Sequence, residues 1–340
     1  MKFIVDAFGG DNAPHEIVAG AVTAVNLLND VEIILSGDKT KIENELDGLG
    51  YNGNKITILH APEIITNNES PTMAIRTKKQ SSLVVGLDAL ANSDDIDGLV
   101  SAGSTGAVLA GGLFRVGRIE GVARPALSPL LPNAKGGKTL LIDCGANMDC
   151  KPEYLVQFAI MGQAYMKAAF GIENPRVALI SVGTEDKKGN ELTHVAFEKL
   201  KEMKGINFVG NMEARDMLSG DYDVLVCDGF VGNVALKSTE GAVTFLMKTL
   251  KESIKKAGLM AKIGASLMKK VFHELKHQLD YTSVGGSPFL GVKKLIIKSH
   301  GSSKANTIYS CIIQARQLTL NKTIETISAS LKEYAKTESE

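Results

Sequence analysis

The segment KFIVDAFGGDNAP, residues 2–14, joins a short apolar run to a turn built on two glycines. Residues 3–5 are aromatic and β-branched, which is typical of a buried strand. Gly9 and Gly10 permit a tight turn, and Pro14 suits the first position of a helix. The apolar residues that follow have helical spacing: Ile17, Val18, Ala21, Val22 and Val25. This strand, turn and helix form the basic unit of an α/β fold.

The same alternation of short apolar runs and longer periodic segments continues through most of the chain. We predict strands at residues 3–5, 31–35, 56–59, 98–101, 139–143, 177–182, 206–209, 223–227 and 294–298. Because helices between successive strands require crossover connections, the fold class is α/β, a mostly parallel sheet with flanking helices. Residues 1–340 are predicted to form a single two-lobed catalytic unit around a cleft. In such folds ligands bind beyond the carboxyl ends of the strands.

Six glycine-containing loops follow predicted strands, at residues 6–14, 101–107, 143–147, 182–185, 228–233 and 299–303. Each loop alone is compatible with an ordinary strand–helix turn. Together they are rich in Ser, Thr and Asn, and their free N–H groups favour an anion, so we predict a phosphate cleft. The candidate phosphate- and substrate-binding residues are Gly9, Gly10, Asp11, Asn12, Ser101, Gly103, Ser104, Thr105, Gly106, Asn147, Gly183, Thr184, Glu185, Gly229 and Asn233.

Composition excludes several classes of protein. The 38 basic residues balance 38 acidic residues, so no overall charge favours nucleic acid as a partner. Asp6 interrupts the apolar run at the start, so we expect no signal peptide and a cytoplasmic location. The four cysteines have no CxxC spacing, which indicates reduced thiols.

Familiar motifs for nucleotides, hydrolysis and metals are incomplete. A GxGxxG match at residues 48–53 precedes a predicted strand instead of following one, and no GxSxG is present. The HExxH match at residues 273–277 could place His273 and His277 on zinc with Glu274 as base, but it lacks a third ligand. The alternative is a polar helix face. We therefore predict no metal and no cofactor.

Residues 248–279 are predicted to form a basic amphipathic helical protrusion. Eight lysines and two glutamates between residues 248 and 276 give a net charge of +6. Gly258 is expected to divide the segment into two helices. One interpretation is a core-packed helix with a solvated lysine face. The other is a surface that contacts anionic lipid or the carrier protein through residues near the bend: Leu259, Met260, Lys262, Ile263 and Lys269.

From about residue 4 to residue 313, the sequence resembles the bacterial phosphate acyltransferase (PlsX) family. The matching motifs are VDAFGGDNAP, SAGSTGA, GANMDCKPEYLVQFA, VGTEDKKGNE, CDGFVGNVALK, LDYTSVGGSPFLGV and SHGSS. Ser104 departs from the pattern, where asparagine is more usual. The resemblance implies a fold similar to isocitrate and isopropylmalate dehydrogenases, and a homodimer. It also implies transfer of a fatty acyl group from acyl carrier protein to inorganic phosphate. The acyl phosphate would serve phospholipid synthesis by passing to a membrane-bound glycerol-3-phosphate acyltransferase.

The chemistry of this transfer mainly requires positioning and charge stabilisation, because phosphate is already an anionic nucleophile. The candidate catalytic residues are His300 as proton donor, Lys187 as cation and Asp228 as an orienting carboxylate. Lys188 and Arg124 are alternative cations, and Asp6, Asp11 and Glu185 are alternative carboxylates. Direct transfer is favoured over a covalent acyl-enzyme on Cys144 or Cys227.

Three other functions stay open at the level of sequence. The same cleft would suit a phosphate acetyl- or butyryltransferase that uses coenzyme A. The HExxH match would suit a zinc peptidase, and the basic protrusion would suit a membrane-surface adaptor without catalysis. A soluble, peripherally membrane-associated acyltransferase is the function that we expect.

Overall fold

The computed structural model describes residues 1–279 and 285–337, and its strands form two sheets. Seven strands form the first sheet: β1 (Lys2–Asp6), β2 (Glu32–Gly37), β3 (Ile56–His60), β4 (Gly98–Ser101), β5 (Ala126–Leu127), β11 (Ser287–Leu290) and β12 (Leu295–Lys298). They lie side by side in the order β3-β2-β1-β4-β12-β11-β5. The neighbours from β3 through β12 are parallel, whereas β11 is antiparallel to both β12 and β5.

The second sheet has five strands: β6 (Leu130–Pro132), β7 (Lys138–Ile142), β8 (Val177–Ser181), β9 (Phe208–Glu213) and β10 (Val224–Val226). Their order is β6-β7-β10-β8-β9, and only β6 runs antiparallel to its neighbour. The predicted α/β fold with mostly parallel sheets is confirmed. The limits of the single two-lobed unit stay a prediction.

Twelve helices flank the sheets in the part of the chain that the structure describes. They are α1 (His15–Leu27), α2 (Lys39–Gly48), α3 (Pro71–Thr77), α4 (Ser82–Asn92), α5 (Thr105–Gly111), α6 (Pro152–Phe170), α7 (Glu191–Glu202), α8 (Gly229–Lys256), α9 (Gly258–Leu267), α10 (Lys269–Leu279), α11 (Ala305–Leu320) and α12 (Thr323–Thr337). A π-helical turn, Gly112–Val116, continues α5. Pro14 directly precedes α1, so it lies one residue before the position that we predicted.

One apolar core connects the two sheets. Val100 and Ile297 of the first sheet belong to the same buried cluster as Leu140 and Val224 of the second, and Met161 of α6 is part of it. Burial of this many aliphatic side chains is the main favourable term in folding. The core therefore holds the strand ends of the first sheet in a fixed position relative to those of the second sheet. A cleft between the two sheets requires this.

All nine predicted strands are present, with ends that differ by up to four residues. Three short strands, β5, β6 and β11, were not predicted. Pro132 ends β6, and Pro288 lies within β11. Proline in a short run argues against a strand because it cannot donate a ladder hydrogen bond. These strands all form antiparallel pairs at or near a sheet edge, where a missing donor is tolerated.

Helices α8, α9 and α10 follow one another directly in the chain, and α9 has no buried residue. The protrusion at residues 248–279 stays a prediction. Gly258 has a φ of +85° and breaks the helix as predicted, but a second break at Met268 makes three helices instead of two. The side chains of Leu259 and Leu267 are 73% and 83% exposed. The interpretation of this segment as a core-packed helix is therefore wrong. Among the described helices, none is both long enough and apolar enough to cross a membrane.

Candidate active site

A cleft of about 410 Å³ lies at the carboxyl ends of strands from both sheets. The first sheet contributes the start of α5 and the residues that end and follow β12. The second sheet contributes the loop after β7 and the inner side of α8. The described lining residues that carry polar groups or glycine are Thr105, Gly106, Cys144, Gly145, Asn233, Lys237, Glu240, Gly285, Gly286, Ser287, Lys298, Ser299, His300 and Thr307. Of the predicted site residues, Thr105, Gly106, Asn233 and His300 therefore meet in one cleft.

The loop after β1 supports the loop after β12. The Asp11 backbone N–H donates to the Gly301 carbonyl at 2.8 Å. The Asn12 amide donates to the carbonyls of Ser302 and Ser303 at 3.1 and 3.2 Å. A side chain at Gly10 would come within 2.9 Å of the Gly301 carbonyl oxygen. Gly10, Asp11 and Asn12 thus position the neighbouring loop, and none of these three residues lines the cleft.

Asp6 and Ser101 fasten the loops after β1 and β4 together. The buried Ser101 hydroxyl donates to Asp6 Oδ2 at 2.6 Å and accepts the Gly103 N–H at 3.1 Å. A Cβ at Gly9 would lie 2.6 Å from both Asp6 Oδ2 and the Gly103 nitrogen, so only glycine fits there. Burial raises the pKa of Asp6, and its Oδ1 has no hydrogen-bond partner among the described residues. Ser101, Gly103 and Gly9 are therefore structural neighbours of the cleft.

Asp143 organises the loop after β7 in a similar way. Its Oδ1 accepts the N–H groups of Leu127, Cys144 and Ala146, at 2.9, 2.7 and 3.3 Å. Its Oδ2 accepts the backbone N–H and the side-chain amide of Asn147, at 2.7 and 2.9 Å. Burial raises the pKa of Asp143 to about 6 despite these donors. The predicted site residue Asn147 thus holds this loop in place.

The start of α8 packs directly on that loop. The Gly229 N–H donates to the Asn147 carbonyl at 2.7 Å, and a Cβ at Gly229 would lie 2.8 Å from Asp143 Oδ2. The Asp228 side chain caps α8 by accepting the N–H groups of Phe230 and Val231, both at 2.9 Å. Asp228 and Gly229 therefore orient α8, and neither belongs to the described lining of the cleft. The catalytic role of Asp228 stays a prediction.

The titratable side chains that line the cleft include Lys298, His300 and the pair Lys237–Glu240. Lys298 is only 6% exposed, and burial lowers its pKa to about 8. Lys237, on the opposite wall, forms an ion pair with Glu240 at 2.7 Å. Burial and the nearby Lys237 charge lower the pKa of His300, so its ring is neutral at pH 7. Its Nδ1 lies 2.8 Å from the Ser302 hydroxyl and accepts the Ser302 N–H at 3.2 Å. A neutral ring that accepts at Nδ1 carries its proton on Nε2.

The other loop of the second sheet lies outside the cleft. Gly183, Thr184, Glu185 and Lys187 follow β8, which is separated from β7 by β10. Lys187 is exposed, and its carbonyl contacts the His194 ring at 2.9 Å. The alternative cations Lys188 and Arg124 are also exposed and do not belong to the described lining. The catalytic role of Lys187 stays a prediction without support from this placement.

The two cysteines near the cleft are poor nucleophiles. Burial raises the pKa of Cys144 to about 12 and that of Cys227 well above its usual range. Because the thiolate is the reactive form, both thiols are inert at neutral pH. The burial of both thiols therefore favours direct transfer over a covalent acyl-enzyme.

Sequence reasoning did not identify Lys298, Lys237 or the apolar wall formed by Leu127, Pro129, Leu130, Leu131 and Leu236. One sequence signal could have found Lys298. It ends the apolar run LIIK immediately before SHGSS, and a lysine that terminates a buried parallel strand faces the ligand edge. Lys237 lies in the first third of α8 and is the last residue of the motif CDGFVGNVALK, which is the sequence signal that could have found it.

The described residues contain no group of three or more His, Cys, Asp or Glu side chains that could hold a metal ion. The backbone of the HExxH segment belongs to α10. The side chains of His273 and His277 lie outside the described residues, so the alternative of a zinc-binding histidine pair stays untested.

Comparison with known proteins decides the family. The sequence model of a family described as fatty acid synthesis protein matches residues 1–326. A phosphate acyltransferase of Clostridioides difficile strain 630 is 45% identical over 334 residues, which cover 98% of this chain and 97% of that protein. A phosphate acyltransferase of Bacillus licheniformis is 48% identical over 318 residues, 94% of each chain. This chain belongs to the phosphate acyltransferase family. The resemblance inferred from its motifs is confirmed.

More distant solved structures share the fold of this family member. A phosphotransacetylase from Streptococcus pyogenes has a TM-score of 0.60 at 18% identity, over 94% of both chains. A 4-hydroxythreonine-4-phosphate dehydrogenase from Klebsiella pneumoniae has a TM-score of 0.53 at 12% identity, over 94% of this chain and 99% of that one. The expected likeness to a dehydrogenase fold is thus confirmed for the architecture.

Proposed function

We propose that this chain transfers a fatty acyl group from acyl-acyl carrier protein to inorganic phosphate, giving acyl phosphate for phospholipid synthesis. The observation that carries the proposal is the 45–48% identity to phosphate acyltransferases over at least 94% of the chain. The cleft between the sheets supports it, because it combines the buried lysine Lys298 with an apolar wall.

The reaction needs few proton transfers. A phosphate oxygen attacks the thioester carbonyl carbon, the carbon–sulfur bond breaks, and the carrier thiol leaves as thiolate or takes up a proton. The first-turn N–H groups of α5, at Thr105 and Gly106, border the cleft where developing negative charge is stabilised. The neutral ring of His300 carries a proton on Nε2 that can hydrogen-bond to the leaving sulfur. Positioning supplies most of the acceleration.

The apolar wall selects the acyl side of the substrate. Leu127, Leu130 and Leu131 are buried and face the cleft beside the loop after β7. A fatty acyl chain or the reduced arm that carries it gains free energy by covering such carbon surface, at about 25 cal/mol per Å². The same wall excludes water from the thioester, which limits hydrolysis.

A phosphate acetyl- or butyryltransferase using coenzyme A is the second candidate. The similarity to a phosphotransacetylase at 18% identity supports a shared fold only. The two functions are separated by giving the purified protein palmitoyl-acyl carrier protein, palmitoyl-coenzyme A and acetyl-coenzyme A at equal concentration with phosphate. Acyl phosphate is trapped with hydroxylamine as hydroxamate. A preference for acetyl-coenzyme A would reject the carrier-protein donor.

We also propose that the enzyme is cytoplasmic and attaches to the membrane surface through α9 and its flanking lysines. Leu259, Met260 and Ile263 are exposed on α9, and Lys262 and Lys269 lie beside them. Each basic residue near an anionic bilayer contributes about 1 kcal/mol, so the +6 segment supports reversible binding. Attachment would bring the acyl phosphate to a membrane-bound glycerol-3-phosphate acyltransferase. A homodimer, implied by the family resemblance, belongs to the same proposal.

Vesicle sedimentation tests the membrane part. The variant Leu259→Glu/Ile263→Glu should stay in the supernatant with anionic vesicles while its turnover of soluble substrate stays unchanged. Ser253→Glu/Ser266→Glu adds the same charge at exposed serines of α8 and α9 without removing apolar surface, and should lose much less binding. Retained binding by the first variant would contradict a membrane role for this surface. Lost turnover with an intact fold would assign it to carrier-protein docking.

A further inference from the structure

Lys298 occupies a position that neither the motifs nor the relatives' names account for. It is the last residue of β12, in parallel register with Ser101 of β4, in the middle of the first sheet. Its side chain is 94% buried, since only 6% is exposed, yet it lines the cleft. A lysine placed this way presents its ammonium group to the ligand at the carboxyl edge of the sheet.

The ammonium group has more donors than the described residues satisfy. A lysine ammonium carries three N–H donors. In residues 1–279 and 285–337, one acceptor is within hydrogen-bond distance of Lys298 Nζ, the Ser299 carbonyl. No carboxylate in this part of the chain lies within ion-pair distance of it. A buried ammonium without a counter-charge is unfavourable by several kcal/mol, so the site is suited to an anion that supplies the remaining acceptors.

Each element packed around Lys298 contributes a group that bears on its charge. Asp6 at the end of β1 and Asp11 in the following loop are acidic and lie at longer range. Lys237 of α8 is basic and is held by Glu240. Cys311 of α11 is buried and protonated, and His300 is neutral. The acidic groups stabilise the ammonium form without contacting it, so the charge stays available to a ligand.

We propose that Lys298 binds the attacking inorganic phosphate, with its ammonium group in direct contact with a phosphate oxygen. The assignment rests on the acyl transfer proposed above and names the residue that holds its nucleophile. Another phosphate oxygen forms the bond to the carbonyl carbon, and the bond to sulfur breaks. Lys298 keeps its proton throughout and neutralises negative charge on the phosphate as it moves into line.

The pH dependence of phosphate binding follows from this position. Burial lowers the pKa of Lys298 to about 8, so the ammonium form predominates at pH 7, makes up about half of the population at pH 8 and falls further as pH rises. Because Lys298 stays charged below pH 7, its contribution to phosphate affinity should be constant there. Phosphate affinity should weaken as pH rises beyond 8. Bound phosphate opposes the loss by stabilising the ammonium form.

The test compares Lys298→Met, Lys298→Arg and Lys293→Met with the wild type. Lys293 lies just before β12 at the opposite end of the strand and is exposed, so its variant controls for the substitution. Lys298→Met should raise KM for phosphate by about tenfold or more, the size expected for a hydrogen bond to a charged group. KM for the acyl donor should change by less than about threefold, and Lys298→Arg should restore part of the phosphate affinity.

The wild type should show a fall in kcat/KM for phosphate above pH 8 that is absent in Lys298→Met. An unchanged KM for phosphate, or an increase confined to KM for the acyl donor, would overturn the assignment. The second result would place the phosphodiester of the carrier arm at Lys298 instead. A fall in kcat/KM for phosphate above pH 8 that persists in Lys298→Met would also overturn the assignment.

Two measurements on the wild type keep the proposal testable if a variant does not fold. Amine labelling with trinitrobenzenesulfonate, read by mass spectrometry, should be slower at Lys298 when inorganic phosphate is present, and unprotected labelling would refute the contact. Calorimetric titration with inorganic phosphate alone should show binding that weakens above pH 8. If phosphate binds this way but no acyl phosphate forms, the proposed reaction fails while the phosphate site stands.

Discussion

Two opposing effects act on the ionisation of Asp143, the buried carboxylate that organises the loop after β7. Burial disfavours its charged form, whereas five N–H donors favour it. If burial dominates, the pKa of Asp143 rises from 3.8 to about 6 on folding. Between these values the folded chain binds more protons than the unfolded chain, so stability falls as pH rises.

The magnitude can be worked out for the variant Asp143→Asn, which cannot titrate at this position. A difference of one bound proton changes the free energy of unfolding by 1.36 kcal/mol per pH unit. Between about pH 4.5 and pH 7, the free energy of unfolding of the wild type should therefore fall by about 2 kcal/mol relative to that of the variant. The variant also places an amide N–H against the donors of Asn147, which lowers its stability by an amount that does not depend on pH. The test is therefore how the difference in free energy of unfolding between wild type and Asp143→Asn changes with pH.

Urea unfolding of both proteins at several pH values gives this difference. Asp47→Asn makes the same chemical change at an exposed position of α2 and controls for it. Parallel pH profiles for wild type and Asp143→Asn would refute the reasoning. A difference that grows in favour of the wild type as pH rises would show that the five donors outweigh burial.

Two further predictions concern the loops and the thiols. Gly9→Ala places a Cβ 2.6 Å from Asp6 Oδ2 and should lower the free energy of unfolding by about 1–3 kcal/mol and reduce turnover, whereas Gly48→Ala has open space around it. Equal unfolding midpoints for these two variants would contradict the packing argument. Cys144→Ala/Cys227→Ala should keep turnover within about threefold, because neither thiol ionises at neutral pH. An acyl adduct on either cysteine, seen in the intact mass without phosphate, would establish a covalent route.

Much of the fold could be predicted because strand and helix signals alternate with different periods. All nine predicted strands have central or parallel positions, where apolar runs are continuous. The missing strands β5, β6 and β11 are two to four residues long and near prolines. Strands β5 and β11 pair with each other although they are distant in sequence, and β5 is held in addition by Asp143, which accepts the Leu127 N–H. No local pattern therefore reveals these two strands.

The site was harder to predict because loop composition does not tell which loops meet. Thr105 and His300 follow adjacent strands of one sheet, β4 and β12, and both reach the cleft. Lys187 follows β8, whose place in the second sheet only the strand order reveals. The burial of Lys298 at the end of β12 could not be predicted, because it depends on the packing of the surrounding strands and helices. Sequence spacing therefore identifies loops of the right chemistry, and topology selects among them.

The most direct test of the account is the stoichiometry of the reaction itself. Purified protein, palmitoyl-acyl carrier protein and inorganic phosphate are incubated, and acyl hydroxamate and free carrier thiol are measured together. We expect one acyl phosphate for each thiol released, with release that depends on phosphate and is unaffected by a chelator. Thiol release that yields free fatty acid regardless of phosphate, or an intact thioester, would contradict the proposed reaction.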